Sequence, residues 1–255
     1  MLWQHAFIET RWRFWSGLVL LTLSAALVAL GYPQVAATAA GLAQPPAGNT
    51  VLGREIAEAL EMAKRFDSYV WSQWFQKNGA QLGAFFAVII GTGGLLSQGA
   101  AARLFTLSLP VSRRQLLGAR AAAGLGQVAF LSLVPALVIV VVSPLIAKSF
   151  PVLDALAYAL CAFAGCAVFF SLAFFFSSMF GSMWPPVVLA LCAGAALSAL
   201  DQITGGTGGF SLLQMMHGES YYYGRGLPWP TLMISAGVSA ALLYAGTRLI
   251  DRQDF

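Results

Sequence analysis

Six runs of about 20 residues recur along this chain, and they contain almost no charge. They cover about residues 14–32, 80–98, 121–144, 155–176, 184–200 and 229–249, and Arg248 is their only Asp, Glu, Lys, Arg or His. That length crosses ~30 Å of hydrocarbon as helix. With 58% of its 255 residues hydrophobic and 9% charged, the chain falls far below the ~25% charge of soluble domains. Helices and closed barrels alone satisfy their own backbone in lipid. The runs do not alternate as barrel strands would. The expected fold is therefore an all-α membrane protein with six transmembrane helices, forming a single domain over residues 1–255.

Between the runs the chain carries distinct polar pieces. Met1–Arg13 mixes Trp3, Phe7, Ile8 and Trp12 with Glu9, Arg11 and Arg13, which predicts a short surface helix before the first span. From Arg54, the residues Ile56, Leu60, Ala63, Phe66, Val70 and Trp74 recur at three- and four-residue steps. This predicts an amphipathic outer helix over 54–76, with Tyr69, Trp71, Trp74 and Phe75 at the lipid headgroups. Tyr221, Tyr222, Tyr223 and Trp229 read as a second interfacial belt. Along the fifth run Ala190, Gly194 and Ser198 form a small-residue face, suited to close packing within the chain or across a dimer. Met215, Met216 and His217 are candidate soft-metal ligands, with a packing role as the commoner reading. Cys161, Cys166 and Cys192 lie inside apolar runs at spacings that match no metal motif, and read as small buried hydrophobes.

Six spans put both termini on one side. That side carries Arg11, Arg13, Arg103, Arg113, Arg114, Arg120, Arg248 and Arg252. The other carries Arg54, Lys64, Arg65, Lys77, Lys148 and Arg225. The excess of positive charge places the termini and Arg103–Arg120 in the cytosol. The charge is spread over loops, so no nucleic-acid partner is expected.

Energy for any transport has to come from elsewhere. The spans hold no acid to bind a driving ion. Lys64, Lys77 and Lys148, the chain's lysines, do not follow glycine, so there is no Walker A loop. The chain is thus expected to be no enzyme and to bind no cofactor of its own. Arg103–Arg120, polar between two apolar runs and broken by Pro110, forms a protruding elbow suited to receive work from a cytosolic partner.

The residues of that elbow, Thr106-Leu107-Ser108-Leu109-Pro110-Val111-Ser112-Arg113-Arg114-Gln115-Leu116-Leu117, resemble the Leu-Pro-Val-Ser-Arg segment that follows the second span in permease subunits of type 2 ABC exporters. The short polar ending Arg252-Gln253-Asp254-Phe255 and the span layout are similar as well. The resemblance implies an elbow helix at Met1–Arg13, a coupling helix near Ala100–Pro110 and a broken outer hairpin within Asp201–Pro228. It implies ATPase-coupling contacts at Arg103, Thr106, Leu107, Leu109, Pro110, Val111, Ser112, Arg113 and Arg114. It further implies a dimer with a second permease subunit and two copies of an ABC ATPase that binds ATP and Mg, in a bacterial or archaeal cytoplasmic (inner) membrane. Where relatives often carry acids before the motif, this chain has Gly99-Ala100-Ala101-Ala102. A transporter or channel working without ATP, and a non-transporting membrane scaffold, are the alternative readings.

Overall fold

A computed structural model describes residues 2–41, 60–92, 113–180, 182–204 and 211–251; within these, the side chains of 2–9, 113–114, 198, 200–204 and 250–251 are outside the description. Every regular element among the described residues is helical. In chain order these are α1 (Leu2–Gly41), α2 (Phe66–Val70), a π-helical stretch (Trp71–Asn78), α3 (Gly79–Gly91), α4 (Arg113–Val142) and a 3-10 turn (Ser143–Ile146). There follow α5 (Val152–Ser177), α6 (Trp184–Thr204), α7 (Leu212–Met216), α8 (Glu219–Tyr222) and α9 (Trp229–Asp251). Four of the helical runs, Thr10–Gly41, Gln115–Ile146, Val152–Ser177 and Trp229–Leu249, are long and apolar enough to cross a membrane. Two further helices, the one running through α2 and α3 and α6 itself, pack into the same bundle.

α1 corrects the expected pairing of a short surface helix with a separate first span. It is one helix of 40 residues, ~60 Å at 1.5 Å per residue. No glycine or proline lies between Leu2 and Ser16, so nothing turns the chain there. Its buried residues Thr10, Phe14, Gly17, Leu21, Ala25, Ala29 and Tyr32 follow the helical repeat. Trp12, Trp15, Val19, Leu23, Leu27 and Leu30 form an exposed apolar face. In water such a stripe would drive aggregation; in a bilayer it is the lipid-facing side.

The expected outer amphipathic helix is also corrected. Residues 54–59 lie outside the described residues. From Phe66 the chain is helical without a break through the π-helical stretch into α3, so the segment extends a bundle helix. The periodic face is real, but it packs inward. Tyr69, Trp71, Trp74 and Phe75 are buried against the rest of the bundle. Tyr32 meets Phe66 at a ring separation of 5.1 Å and Tyr69 at 5.3 Å, and Phe75 stacks on Tyr158 at 4.6 Å. The wide π turn brings the Trp74 carbonyl so near Gly79 that a Cβ there would lie 2.8 Å from its oxygen. α3 ends at Gly91, short of the expected end at Gln98, because Thr92 is extended (φ −82°, ψ 141°).

α5 is the centre of the bundle. Of its most apolar window 61% is buried, against 22–28% for the other three candidate spans. It contacts α3, α4, α6, α7 and α9, and its large side chains enter notches left by glycines on those neighbours. Phe170 fills the notch at Gly124 of α4, Phe169 the one at Gly194 of α6, and Phe174 lies against Gly246 of α9. The relation reverses at Gly165 of α5 itself, which receives Met216 of α7. Lipid tails are as apolar as leucine, so helix association in a membrane rests on such close dispersion contacts.

Among these glycines the tightest approach to backbone is at Gly91, where a Cβ would lie 2.5 Å from the Phe170 carbonyl oxygen. Gly91→Ala should destabilise the bundle by about 1–3 kcal/mol, the usual cost of overpacking. Gly126→Ala, in open space on α4, should be neutral or stabilising by about 0.5–1 kcal/mol through helix propensity. Thermal unfolding of the detergent-solubilised chain compares the two; equal melting temperatures would contradict the notch packing.

Candidate functional site

Polar chemistry in the described residues collects at two opposite ends of the bundle. The first is an arginine end. Thr10 of α1 donates its hydroxyl to the Gln127 side-chain carbonyl of α4 (3.0 Å), and the Gln127 amide donates back (2.8 Å). Both residues are buried, so each satisfies the other where water is scarce. One turn further along α1, the Arg13 guanidinium donates to the carbonyls of Ile89 (3.2 Å) and Thr92 (2.6 Å) and lies 3.1 Å from the Met183 sulfur in the connection between α5 and α6. The Thr92 hydroxyl also donates to Ile89 (3.0 Å). Arg13 thus meets the unpaired, partly negative carbonyl end of α3, where a cation is favoured.

The sequence reading missed this arrangement because it assigned Arg13 to a detached surface helix. A signal was present: Thr10, Arg13 and Gly17 lie at i, i+3 and i+7, opposite the lipid-facing Trp12, Trp15 and Val19. Gly17 receives the ring of Phe86, so this one stripe of α1 touches α3 twice and α4 once.

Of the residues assigned to ATPase coupling, Arg103, Thr106, Leu107, Leu109, Pro110, Val111 and Ser112 lie outside the described residues. Arg113 and Arg114 form the first turn of α4, directly after the proline-containing motif. On the small face of α6, Ala190 is fully buried and Gly194 sits against Phe169 of α5, so these two positions pack within the chain. The Ser198 side chain lies outside the description.

The second end is rich in tyrosine. Ser211 caps α7 by accepting from the Gln214 amide (3.1 Å), and Gly218 turns the chain into α8 with φ +67°. Trp71 lies flat on Tyr222, with ring centroids 3.9 Å apart and planes 5° from parallel, and donates from its indole nitrogen to the His217 carbonyl (3.0 Å). Tyr221 donates to the Asp154 carboxylate at the start of α5 (2.7 Å) and meets Tyr158 edge-on. Tyr221 and Tyr222 therefore hold the 211–222 segment onto the bundle, while Tyr223 and Trp229 are exposed.

Met215, Met216 and His217 go to three different partners. The Met215 sulfur accepts from the Ser235 hydroxyl (3.5 Å), Met216 fills the Gly165 notch, and His217 faces Glu219 at 3.8 Å. Cys161 and Cys166 are buried as expected, whereas Cys192 is exposed on α6. A cavity of about 20 Å³ lies among Leu21, Trp74, Gly83, Leu131, Ser132 and Cys166, room for one water molecule.

The hydrogen bond to Asp154, with smaller contributions from burial and the carboxylate charge, raises the Tyr221 hydroxyl above its ordinary value of 10.0. This bond contributes stability at every pH below that ordinary value and loses it as pH rises through the higher value of the folded chain. Tyr221→Phe should lower stability by about 0.5–1.5 kcal/mol at neutral pH and flatten the alkaline decline. Thermal unfolding between pH 7 and pH 12 measures both effects.

No protein-family model, curated protein or solved structure matches the chain.

Proposed function

We propose that this protein is the transmembrane permease subunit of an ATP-driven exporter of the type 2 ABC class, the family its elbow motif resembles. In this reading α2–α3 and α6 join the four long apolar helices as spans two and five. The termini and Arg103–Arg120 face the cytosol of a bacterial or archaeal cell. Two permease subunits associate, and two copies of a separate ABC ATPase, carrying ATP and Mg, supply the energy. The chain itself performs no catalysis.

One observation carries the proposal: the Leu-Pro-Val-Ser-Arg motif falls in the stretch of sequence between α3 and α4 and ends at Arg113, the first residue of α4. A membrane bundle with no driving-ion acids in its spans needs a mechanical input. The polar stretch that ends at Arg113 and Arg114 is suited to receive one. The apolar, aromatic character of the helices fits amphiphilic or lipid-like cargo.

Co-expression with any ABC ATPase found in the same operon should yield a complex, and Arg113→Glu/Arg114→Glu should lower permease-stimulated ATP hydrolysis by about tenfold with membrane insertion intact. A chain that never co-purifies with an ATPase, or one that keeps its flux in liposomes without ATP, would sink this reading in favour of a lone channel.

A further inference from the structure

The Arg13 contacts have a consequence beyond stability. α3 stops where Thr92 turns extended, and the chain continues into residues 93–112. Both carbonyls that close this end, Ile89 and Thr92, accept from one guanidinium nitrogen of Arg13. The neighbouring Gly91 is pressed against the α5 backbone, and Thr92 has no exposed surface. The exit of the chain from α3 is therefore held on one side by α5 and on the other by a side chain from α1. The same side chain reaches Met183, in the connection that follows α5. Thr10, one turn earlier, fastens α1 to α4 independently.

We infer that Arg13 is a positioning residue that fixes the point where the 93–112 connection leaves α3 and ties its movement to α1. α1 is a single helix from this point to beyond Tyr32, which packs on Phe66 at the tyrosine end. A displacement of Thr92 therefore has a stiff route to the far side of the bundle. The role in transmission rests on the permease reading; the positioning role does not. Arginine suits the task because one planar, permanently charged group spans two carbonyls and a sulfur at once.

Hydrogen exchange of the purified full chain in detergent tests the positioning without any ATPase. Amides of 90–92 should exchange about tenfold faster in Arg13→Ala, the effect of losing hydrogen bonds to a charged group. Arg13→Lys, which keeps charge and a donor, should restore most of the protection. Thr10→Val, which cuts the neighbouring α1–α4 contact, should leave these amides unchanged. Unchanged exchange in Arg13→Ala, or equal acceleration in Thr10→Val, overturns the positioning role. In the complex with its ATPase, Arg13→Ala should uncouple hydrolysis from the permease and Arg13→Lys should retain coupling. Normal coupling in Arg13→Ala would overturn the transmission role. A chain with no ATPase partner would instead fail the permease reading and leave the exchange result standing.

Discussion

Helices already in lipid gain nothing from hiding apolar surface, so this bundle depends on how closely its helices approach one another. α5 makes that approach possible. Phe169, Phe170 and Phe174, within two turns of α5, project toward three different neighbours, and each finds a glycine there. A methyl group at Gly124 or Gly194 would overlap a ring by more than an ångström of normal contact. The fit sets the position of α4, α6 and α9 around α5. Leucine in place of these rings would bury similar area without the same complementarity, and in a membrane complementarity is the source of the energy.

The two ends of the bundle solve a different problem. Helix termini leave carbonyls and amides without partners inside the helix. At one end a cation from α1 closes the carbonyl terminus of α3. At the other, an indole, three tyrosines and a carboxylate tie the 211–222 segment to α5 and to the π-helical stretch. The Trp71–Tyr222 stack and the Tyr221–Asp154 bond are side by side in sequence on α8 but reach different elements. The short helix is thereby fixed in orientation as well as position. The aromatic contacts continue through Tyr158, Phe75, Phe150 and Phe66 to Tyr32, so this end is a packed aromatic layer joining α1, α2, α5 and α8.

Arg13 links the two descriptions. It sits on the stripe of α1 that packs by small residues, yet it acts as a cap for another helix. The residue that completes the fold at the arginine end stands where the chain leaves α3, and its charge is spent on closing that helix.

The helical class, the membrane-spanning character and, to within a few residues, the limits of α5, α6 and α9 were legible in the amino-acid sequence. Each is set by local physics: apolar length, proline and glycine at the turns, and charge confined to the connections. The periodic face of residues 60–74 was legible as well, but its destination was not. A buried aromatic face and a headgroup-facing one have the same composition and spacing, and only the position of α1 and α5 decides between them. Met1–Arg13 failed for the same reason: its residues suit a surface helix, yet nothing in them breaks the helix that tertiary contacts at Thr10 and Arg13 hold in line with the span. The sequence by itself determined which segments are helical and apolar enough for a membrane. The tertiary structure alone decided which face of each meets protein, because that choice rests on a few sub-ångström fits between rings and glycines far apart in the chain.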